Sequence, residues 1–290
     1  MRFIFLVLLM LCSLTKVIAD ENFPLCSSNQ TEDFSITGIN WVFKMCYTTP
    51  TTFKIKINSI SLINNSGTAI PFYEPTTPQY IDLTQGIADL AMNVKPVDGT
   101  YSALMLHLDA TLKITASADY TPSGRSTKYC RTKENINTFS NTSLTGNGLG
   151  SFLNGNNEAA VETTMRLNAF NFESSIARGS DNTNNGTGAY YSKLTYPIGN
   201  NNINNIEFYM VDSNKILETI TDNVTGSILK VNFINPVTIN QETDSSYKIS
   251  FDLSKAVGFA HDHSQGGSIL DNNECNYMTV GPLPVSLSVN

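Results

Sequence analysis

The clearest pattern along the chain is a long alternation of apolar and polar residues that follows a turn at residues 96–99. One set of alternate positions is wholly apolar: Leu104, Leu106, Leu108, Ala110, Leu112 and Ile114. The other set is mixed or polar and runs from Tyr101 to Lys113. A period of two that lasts about a dozen residues is typical of a β-strand with one face in a core. We therefore predict a strand here whose leucine face is buried.

Several other segments repeat this alternation. They are residues 39–47, 53–62, 206–211, 227–234 and 247–253, with shorter candidates at residues 69–73 and in the final PLPVSLSV. Between Ile57 and Ile60 the apolar positions slip by one, which predicts a β-bulge near Asn58–Ser59. Asp82 or Thr84 could cap one short helix that reaches Ala91.

Residues 132–205 differ in composition, because Asn, Ser, Thr and Gly dominate them. Only residues 161–172 and 189–196 have a structured pattern there, and the former fits either a helix or a strand. We interpret the region as a long, loop-rich excursion from the core. Many short strands with polar turns and hardly a helix predict an all-β fold, an antiparallel Greek-key-type sandwich, as a single domain over residues 20–290.

The first 19 residues predict a secretory signal peptide. Arg2 precedes an apolar run over residues 3–14, and small side chains at Val17 and Ala19 suit a cut before Asp20. The alternative, a membrane anchor, is disfavoured because a spanning helix needs about 20 apolar residues. No later apolar run is that long, so we expect a chain that is soluble once the signal is removed.

Charge excludes one class of partner. The formal net charge is −7, and charged residues make up only 15% of the chain. Nucleic acid binding needs a concentrated basic face, so we expect no nucleic acid partner.

Four cysteines follow the signal: Cys26, Cys46, Cys130 and Cys275. An even number in an exported protein favours two disulfides, and three pairings are open. The preferred pairing is Cys26 with Cys46 and Cys130 with Cys275, since it joins the N-terminal arm locally and ties the C-terminal part to the core.

Four stretches carry a resemblance to a known family. They are FKIKINSISL, YIDL, KPVDGTYSALMLHLDATLKI and YKISFDLSKAVGF, in two blocks on either side of the Asn-rich region. These stretches resemble DUF4382-like exported bacterial proteins, which have a prealbumin-like or carboxypeptidase-regulatory-like β-sandwich. The resemblance implies a protein of the cell envelope or surface and supplies no catalytic residue.

The most pointed candidate for chemistry is His261-Asp262-His263. Residues i and i+2 of an extended segment face the same way, so His261 and His263 could hold one Cu or Zn ion. Asp271, or His107 with Asp109, could add ligands. The alternative interpretation is a polar turn, because Gln265-Gly266-Gly267 follows.

Other motifs are weaker. Asp181 opens a calcium-loop-like sequence, but Ser192 stands where such a loop needs Glu, so a solvated loop is preferred. The Asn-x-Ser/Thr sites are at about the number expected by chance; they are Asn29, Asn64, Asn141, Asn185 and Asn223. No Gly-x-Ser-x-Gly, phosphate loop or dinucleotide fingerprint is present, so we expect no catalytic residues and no enzyme.

The sequence therefore predicts an exported, non-enzymatic β-sandwich with a binding or structural role at the cell surface or in the periplasm. Its partner would be a protein or glycan of the envelope or surface. The alternative function is periplasmic copper or zinc binding through His261 and His263.

Overall fold

A computed structural model gives the structure of the chain. It describes residues 23–35, 42–85, 96–124, 126–134, 153–154, 158–166, 191–194, 203–211, 225–243, 247–262, 275, 277–281 and 283–289. The predicted signal peptide at residues 1–19 lies outside these ranges.

The predicted all-β fold is confirmed. The strands are β1 (Glu32–Ser35), β2 (Val42–Thr48), β3 (Thr52–Asn64), β4 (Ala69–Tyr73), β5 (Tyr80–Asp82), β6 (Gly99–Asp109), β7 (Thr111–Thr115), β8 (Ser117–Tyr120), β9 (Lys128–Thr132), β10 (Leu153–Asn154), β11 (Thr163–Arg166), β12 (Tyr191–Leu194), β13 (Ile203–Val211), β14 (Gly226–Ile239), β15 (Tyr247–Phe251), β16 (Val257–Asp262), β17 (Tyr277–Val280) and β18 (Val285–Val289). All of their pairings are antiparallel within the described residues.

One large sheet organises the molecule, and we call it the main sheet. Within the described residues it has nine strands, in the order β11-β7-β3-β6-β14-β13-β12, with β4 and β5 beside β3. Strand β6 lies between β3 and β14 at its centre. Leu104, Leu106 and Leu108 of β6 are each at most 2% exposed, so the predicted leucine face is the buried one.

The alternating segment is divided into two strands, β6 and β7, at Ala110. Strand β3 pairs with both β6 and β7. On the side away from β3, the neighbour of β6 is β14 and the neighbour of β7 is β11. The Ala110 N–H there donates to Thr225 O at 3.1 Å. The break therefore marks the place where the sheet exchanges one neighbouring strand for another.

The predicted bulge in β3 is confirmed, and it lies beside this break. The register shifts between Ile57 and Ser59, whose partners in β6 are Leu108 and His107. A bulge bends its strand and increases the local twist. The two irregularities bend β3 and its partner together, which lets the sheet curl around the core.

The mixed face of β6 is more buried than its composition predicts. Tyr101 and Ala103 are 3% and 1% exposed, although they alternate with the leucines. A second register shift, between Ile63 and Asn64 of β3, lies opposite them. The shift separates Tyr101 from the regular pairing that runs from Ala103 through the leucines, so period-two counting could not predict the burial of Tyr101.

Within the described residues, three smaller sheets accompany the main sheet: β1-β2-β16-β17, β10-β9-β8 and β15-β18. Each adds buried residues to a single connected hydrophobic core, for example Phe259, Tyr120 and Ile249. Curled antiparallel sheets that share one core are the arrangement of a β-sandwich.

The described part of the predicted excursion contributes strands to the main sheet. Within the described residues, β11 and β12 lie at the two ends of that sheet. Residues 163–166 of the segment 161–172 are strand, and residues 167–172 lie outside the described ranges. Arg131 and Thr132 hold the returning chain, because Arg131 Nε donates to Glu158 O at 2.9 Å and Thr132 Oγ1 to Val161 O at 2.7 Å.

Of the segment predicted as a short helix, the described residues form a 3-10 turn at Leu83–Gln85. Asp82, one of the two candidate caps, accepts bonds at Oδ1 from the Thr84 N–H at 3.0 Å and the Thr84 hydroxyl at 2.6 Å. Residues 86–95 lie outside the described ranges. In the described part of the chain, no helix is long and apolar enough to cross a membrane.

The cysteines pair in the preferred way. Cys26 is joined to Cys46, with Cα atoms 4.9 Å apart, and Cys130 to Cys275, with Cα atoms 5.1 Å apart. The first bond ties the N-terminal arm to β2. The second ties β9 to the segment that leads into β17.

Candidate functional site

The structure changes the context of the predicted histidine pair. His261 and Asp262 belong to β16, where they lie opposite Lys44 and Phe43 of β2. The alternative interpretation of this motif as a polar turn is therefore wrong for its first two residues. His263 and Asp271 lie outside the described ranges.

The other suggested ligands are elsewhere. His107 and Asp109 belong to β6 of the main sheet, whereas His261 belongs to the four-stranded sheet. Among the described residues, no group of three or more His, Cys, Asp or Glu side chains is placed to hold a metal ion.

Two of the five Asn-x-Ser/Thr sites are described. Asn64 lies at the end of β3, and its Oδ1 accepts bonds from the Ser66 hydroxyl at 2.7 Å and the Thr68 N–H at 2.8 Å. Asn29 Oδ1 accepts a bond from the Thr121 N–H at 2.8 Å. Both side chains therefore order local backbone. Asn141, Asn185, Asn223 and Asp181 lie outside the described ranges, and Ser192 belongs to β12.

Strand pairing assembles a polar cluster that the sequence did not reveal, and we call it the Tyr80 patch. Its members are half-buried and come from β3, β5, β7 and the residue before β11; they are Lys54, Lys56, Tyr80, Asp82, Lys113 and Glu162.

The register of β3 explains how the Tyr80 patch forms. Lys54 lies opposite Lys113 on one side and Asp82 on the other, and Lys56 lies opposite Tyr80. Phe53 and Ile55, between and beside these lysines, are buried at 0% and 1% exposure. Because alternate side chains of a strand point to opposite faces, the lysines lie on the outer face.

Glu162 connects the two facing lysines. Its Oε2 lies 2.5 Å from Lys54 Nζ and its Oε1 3.5 Å from Lys113 Nζ. The hydrogen bond from Lys54 is the main cause that lowers the pKa of Glu162, and the charge of Lys113 adds to it. The same hydrogen bond raises the pKa of Lys54. This carboxylate therefore loses its proton at a lower pH than an ordinary glutamate does.

Tyr80 lies beneath two ammonium groups. Lys56 Nζ is 4.7 Å and Lys113 Nζ 4.9 Å from the centroid of its ring, which is within cation–π distance. Burial raises the pKa of the Tyr80 phenol, and the nearby charges of Asp109 and Glu162 raise it further. The phenol is therefore a neutral hydrogen-bond donor at physiological pH.

The carboxylate of Asp82 accepts hydrogen bonds from Phe53 and Thr84. Burial raises its pKa, but the bonds from Thr84 and Phe53 and the charge of Lys54 outweigh burial and leave the pKa lowered. Its Oδ1 accepts the Phe53 N–H at 3.3 Å as well as the two Thr84 bonds. Asp82 therefore fixes β5 against β3, and the lysines present the donors of the patch.

No sequence motif could have identified this site, because its residues are scattered from position 54 to position 162. The only signal is the spacing of Lys54 and Lys56 in FKIKI, which places both on the polar side of a strand. Their meeting with Lys113, Tyr80 and Glu162 depends on pairing across the sheet.

The resemblance to DUF4382-like exported proteins stays a prediction. Comparison of this chain with family models, with curated proteins and with solved structures finds no match.

Proposed function

We propose that this chain is an exported, non-enzymatic β-sandwich protein that acts by binding, at the cell surface or in the periplasm, and that the Tyr80 patch is its binding surface. The observation that carries the proposal is the set of polar side chains fixed on the outer face of four paired strands. Rigid strands hold such groups more accurately than loops do.

The burial of the Tyr80 patch supports a fixed arrangement. The side chains of Lys54, Lys113 and Glu162 are each about a third exposed, from 32 to 34%. Long charged side chains on an open surface are usually mobile, and ordering them costs conformational entropy. Here the ring of Tyr80 and the shared carboxylate already restrict them. Less entropy is then lost when a ligand binds.

The cysteines support export. Cys26, Cys46, Cys130 and Cys275 are all paired and at most 3% exposed. Structural disulfides form and persist in oxidising compartments and are rare in the reducing cytosol. This agrees with the predicted signal peptide at residues 1–19.

Localisation tests the proposal. The full chain and a version that lacks residues 2–19 are expressed in a bacterial host, and cell fractions are assayed for the protein and for free thiols. We expect only the full chain to leave the cytoplasm, with no free thiol. Retention of the full chain in the cytoplasm with reduced cysteines would refute export.

Copper or zinc binding through His261 and His263 is the alternative function. Its support is that β16 extends through Asp262, so that His261 lies on extended backbone. Lys44, opposite His261, places an ammonium-bearing residue next to the proposed ligand and weighs against it.

A further inference from the structure

We propose that the Tyr80 patch binds an anionic polysaccharide, a sugar polymer that carries carboxylate or sulfate groups. This inference deepens the proposed function, because it names the class of ligand for the same surface.

Charged hydrogen-bond donors outnumber the acceptors that they contact within the Tyr80 patch. Lys54 and Lys113 share the single carboxylate of Glu162. Lys56 contacts the ring of Tyr80 and has no carboxylate partner in the described part of the chain. Each ammonium group carries three donors. The patch therefore presents more charged donors than its own acceptors use.

The neighbouring carboxylates do not remove this surplus. Asp82 Oδ1 accepts the Phe53 N–H and both bonds from Thr84. Asp109, whose charge raises the pKa of Tyr80, accepts a hydrogen bond from the Thr111 N–H at 2.7 Å. Both carboxylates are engaged by hydrogen bonds from neighbouring residues, and Asp82 also lies opposite Lys54. An incoming oxyanion can therefore accept hydrogen bonds from the remaining ammonium donors without breaking the bonds that Asp82 and Asp109 accept.

Tyr80 sets the direction of these donors. The ammonium groups of Lys56 and Lys113 lie 4.7 and 4.9 Å from its centroid, so the ring interacts with two cations that belong to different strands. Its neutral hydroxyl adds a donor that suits a sugar hydroxyl or an oxyanion. Charged and neutral donors side by side match a sugar that carries an acidic group.

The spacing favours a polymer over a small anion. Neighbouring strands are about 5 Å apart, and alternate residues along a strand about 7 Å apart. Lys54, Lys56 and Lys113 therefore project from points that a chain with one charge on each repeat can meet in succession. A single phosphate or sulfate ion would engage one or two of them.

Nucleic acid is a poorer fit to the same charges. The chain as a whole has a formal charge of −7, and in the Tyr80 patch three lysines are accompanied by two carboxylates, those of Glu162 and Asp82. Duplex binding needs a broad basic surface that neutralises several phosphates. An oligonucleotide is therefore a control ligand in the experiment.

The experiment uses the full chain after export, with polygalacturonate as the carboxylate polymer, dextran sulfate as the sulfate polymer and dextran as the neutral control. Binding is measured by calorimetry at low and at high salt. Lys56→Gln and Lys113→Gln remove one charge each from the patch, and Lys248→Gln removes an exposed charge from β15.

We expect saturable binding of at least one acidic polymer and none of dextran. Each patch variant should weaken binding by about tenfold, the loss expected for a hydrogen bond to a charged group. Lys248→Gln should bind as the wild type does, and the variants should keep the wild-type circular dichroism spectrum. High salt should weaken binding because it screens the charges.

Three results would overturn the inference. They are the absence of binding to both acidic polymers, equal losses in Lys56→Gln and Lys248→Gln, and equally tight binding of a single-stranded oligonucleotide. Normal export with none of the expected polymer binding would refute this inference and leave export standing. Cytoplasmic retention would refute the proposed function itself.

Discussion

Lys54 and Lys113 lie directly opposite each other on neighbouring antiparallel strands, and one carboxylate, that of Glu162, contacts both. Like charges directly opposite each other destabilise a sheet. Glu162 is thus part of what allows β3 and β7 to pair at this register.

The first prediction is that Glu162→Gln flattens the dependence of stability on acid pH. Lys54 lowers the folded-state pKa of Glu162 below its ordinary value of 4.5. A lowered pKa contributes stability that is present above the unfolded-state pKa and lost as pH falls through the folded-state pKa. The variant should be less stable than wild type at pH 7, with the difference shrinking as pH falls below about 4.5. Urea unfolding across this range measures it.

Glu242→Gln is the matched control for that measurement, because Glu242 lies on an exposed turn after β14. A Glu162→Gln variant that follows the wild-type pH curve in parallel would show that the contact with Lys54 contributes nothing to folding.

The second prediction concerns the centre of the main sheet. Leu106 is 0% exposed, and Leu106→Ala should lower the free energy of unfolding by about 2 to 5 kcal/mol through lost burial and the cavity left behind. Val97→Ala, at a side chain 57% exposed, should change it by less than about 0.5 kcal/mol. Chemical denaturation of both variants tests this. A loss below about 1 kcal/mol for Leu106→Ala would contradict a central position for β6.

The sequence predicted those parts of the fold that depend on local pattern. Alternation identified the leucine face of β6, and the slip between Ile57 and Ile60 identified the bulge in β3. Both signals arise because alternate residues of a strand face the hydrophobic core and the water in turn. Local pattern carries no information about which distant strand will be the neighbour.

The missed features all depend on such neighbours. Tyr101 is buried because of a register shift in its pairing with β3, and the break at Ala110 reflects a change of partner. Within the Asn-rich residues 132–205, the pattern indicated structure at residues 161–172 and 189–196, where β11 and β12 lie, but it could not indicate their pairing in the main sheet. The Tyr80 patch could not be predicted for the same reason, since four segments meet only in the sheet.

The third prediction compares the two disulfides. Loss of a disulfide destabilises a protein more when the closed loop is longer, in the chain-entropy description. The Cys26–Cys46 loop spans 20 residues and the Cys130–Cys275 loop 145. Replacing the first pair with Ser should cost about 3 kcal/mol and the second about 5 kcal/mol.

Mass spectrometry without reductant should also find no free thiol in the wild type. Peptide mapping then identifies the pairs, and a cross-link between Cys46 and Cys130 would contradict the pairing in the structure.

The fourth prediction concerns the histidines. Imidazole must be neutral to bind a metal, so any affinity through His261 and His263 should decline below about pH 6. Because Lys44 lies opposite His261, we expect no saturable binding of Cu(II) or Zn(II) tighter than micromolar. Calorimetric titration with Cu(II) and with Zn(II) measures this affinity. Tight binding that His261→Ala with His263→Ala removes would establish the alternative function.

The fifth prediction concerns Gly281, which follows β17. A Cβ atom at this position would lie 1.9 Å from Lys255 O and 3.0 Å from the ring of Tyr47. The Gly281 N–H also donates to Ala256 O at 2.8 Å, so the backbone has little freedom to retreat. Gly281→Ala should lower the melting temperature by several degrees. Gly67→Ala, in an open turn with a φ of +84°, should cost only about 1 kcal/mol.

The distance along the chain between Cys130 and Cys275 imposes an order on biosynthesis. If the proposed export proceeds from the N-terminus, Cys26 and Cys46 reach the oxidising compartment together, so that bond can close before most of the main sheet has arrived. Cys130 emerges next and must wait for 145 more residues before its partner exists. Throughout that interval an unpaired thiol coexists with a finished disulfide that it can attack. Correct assembly therefore requires that β9 shield Cys130, which is fully buried in the finished fold, or that an isomerase repair the exchange.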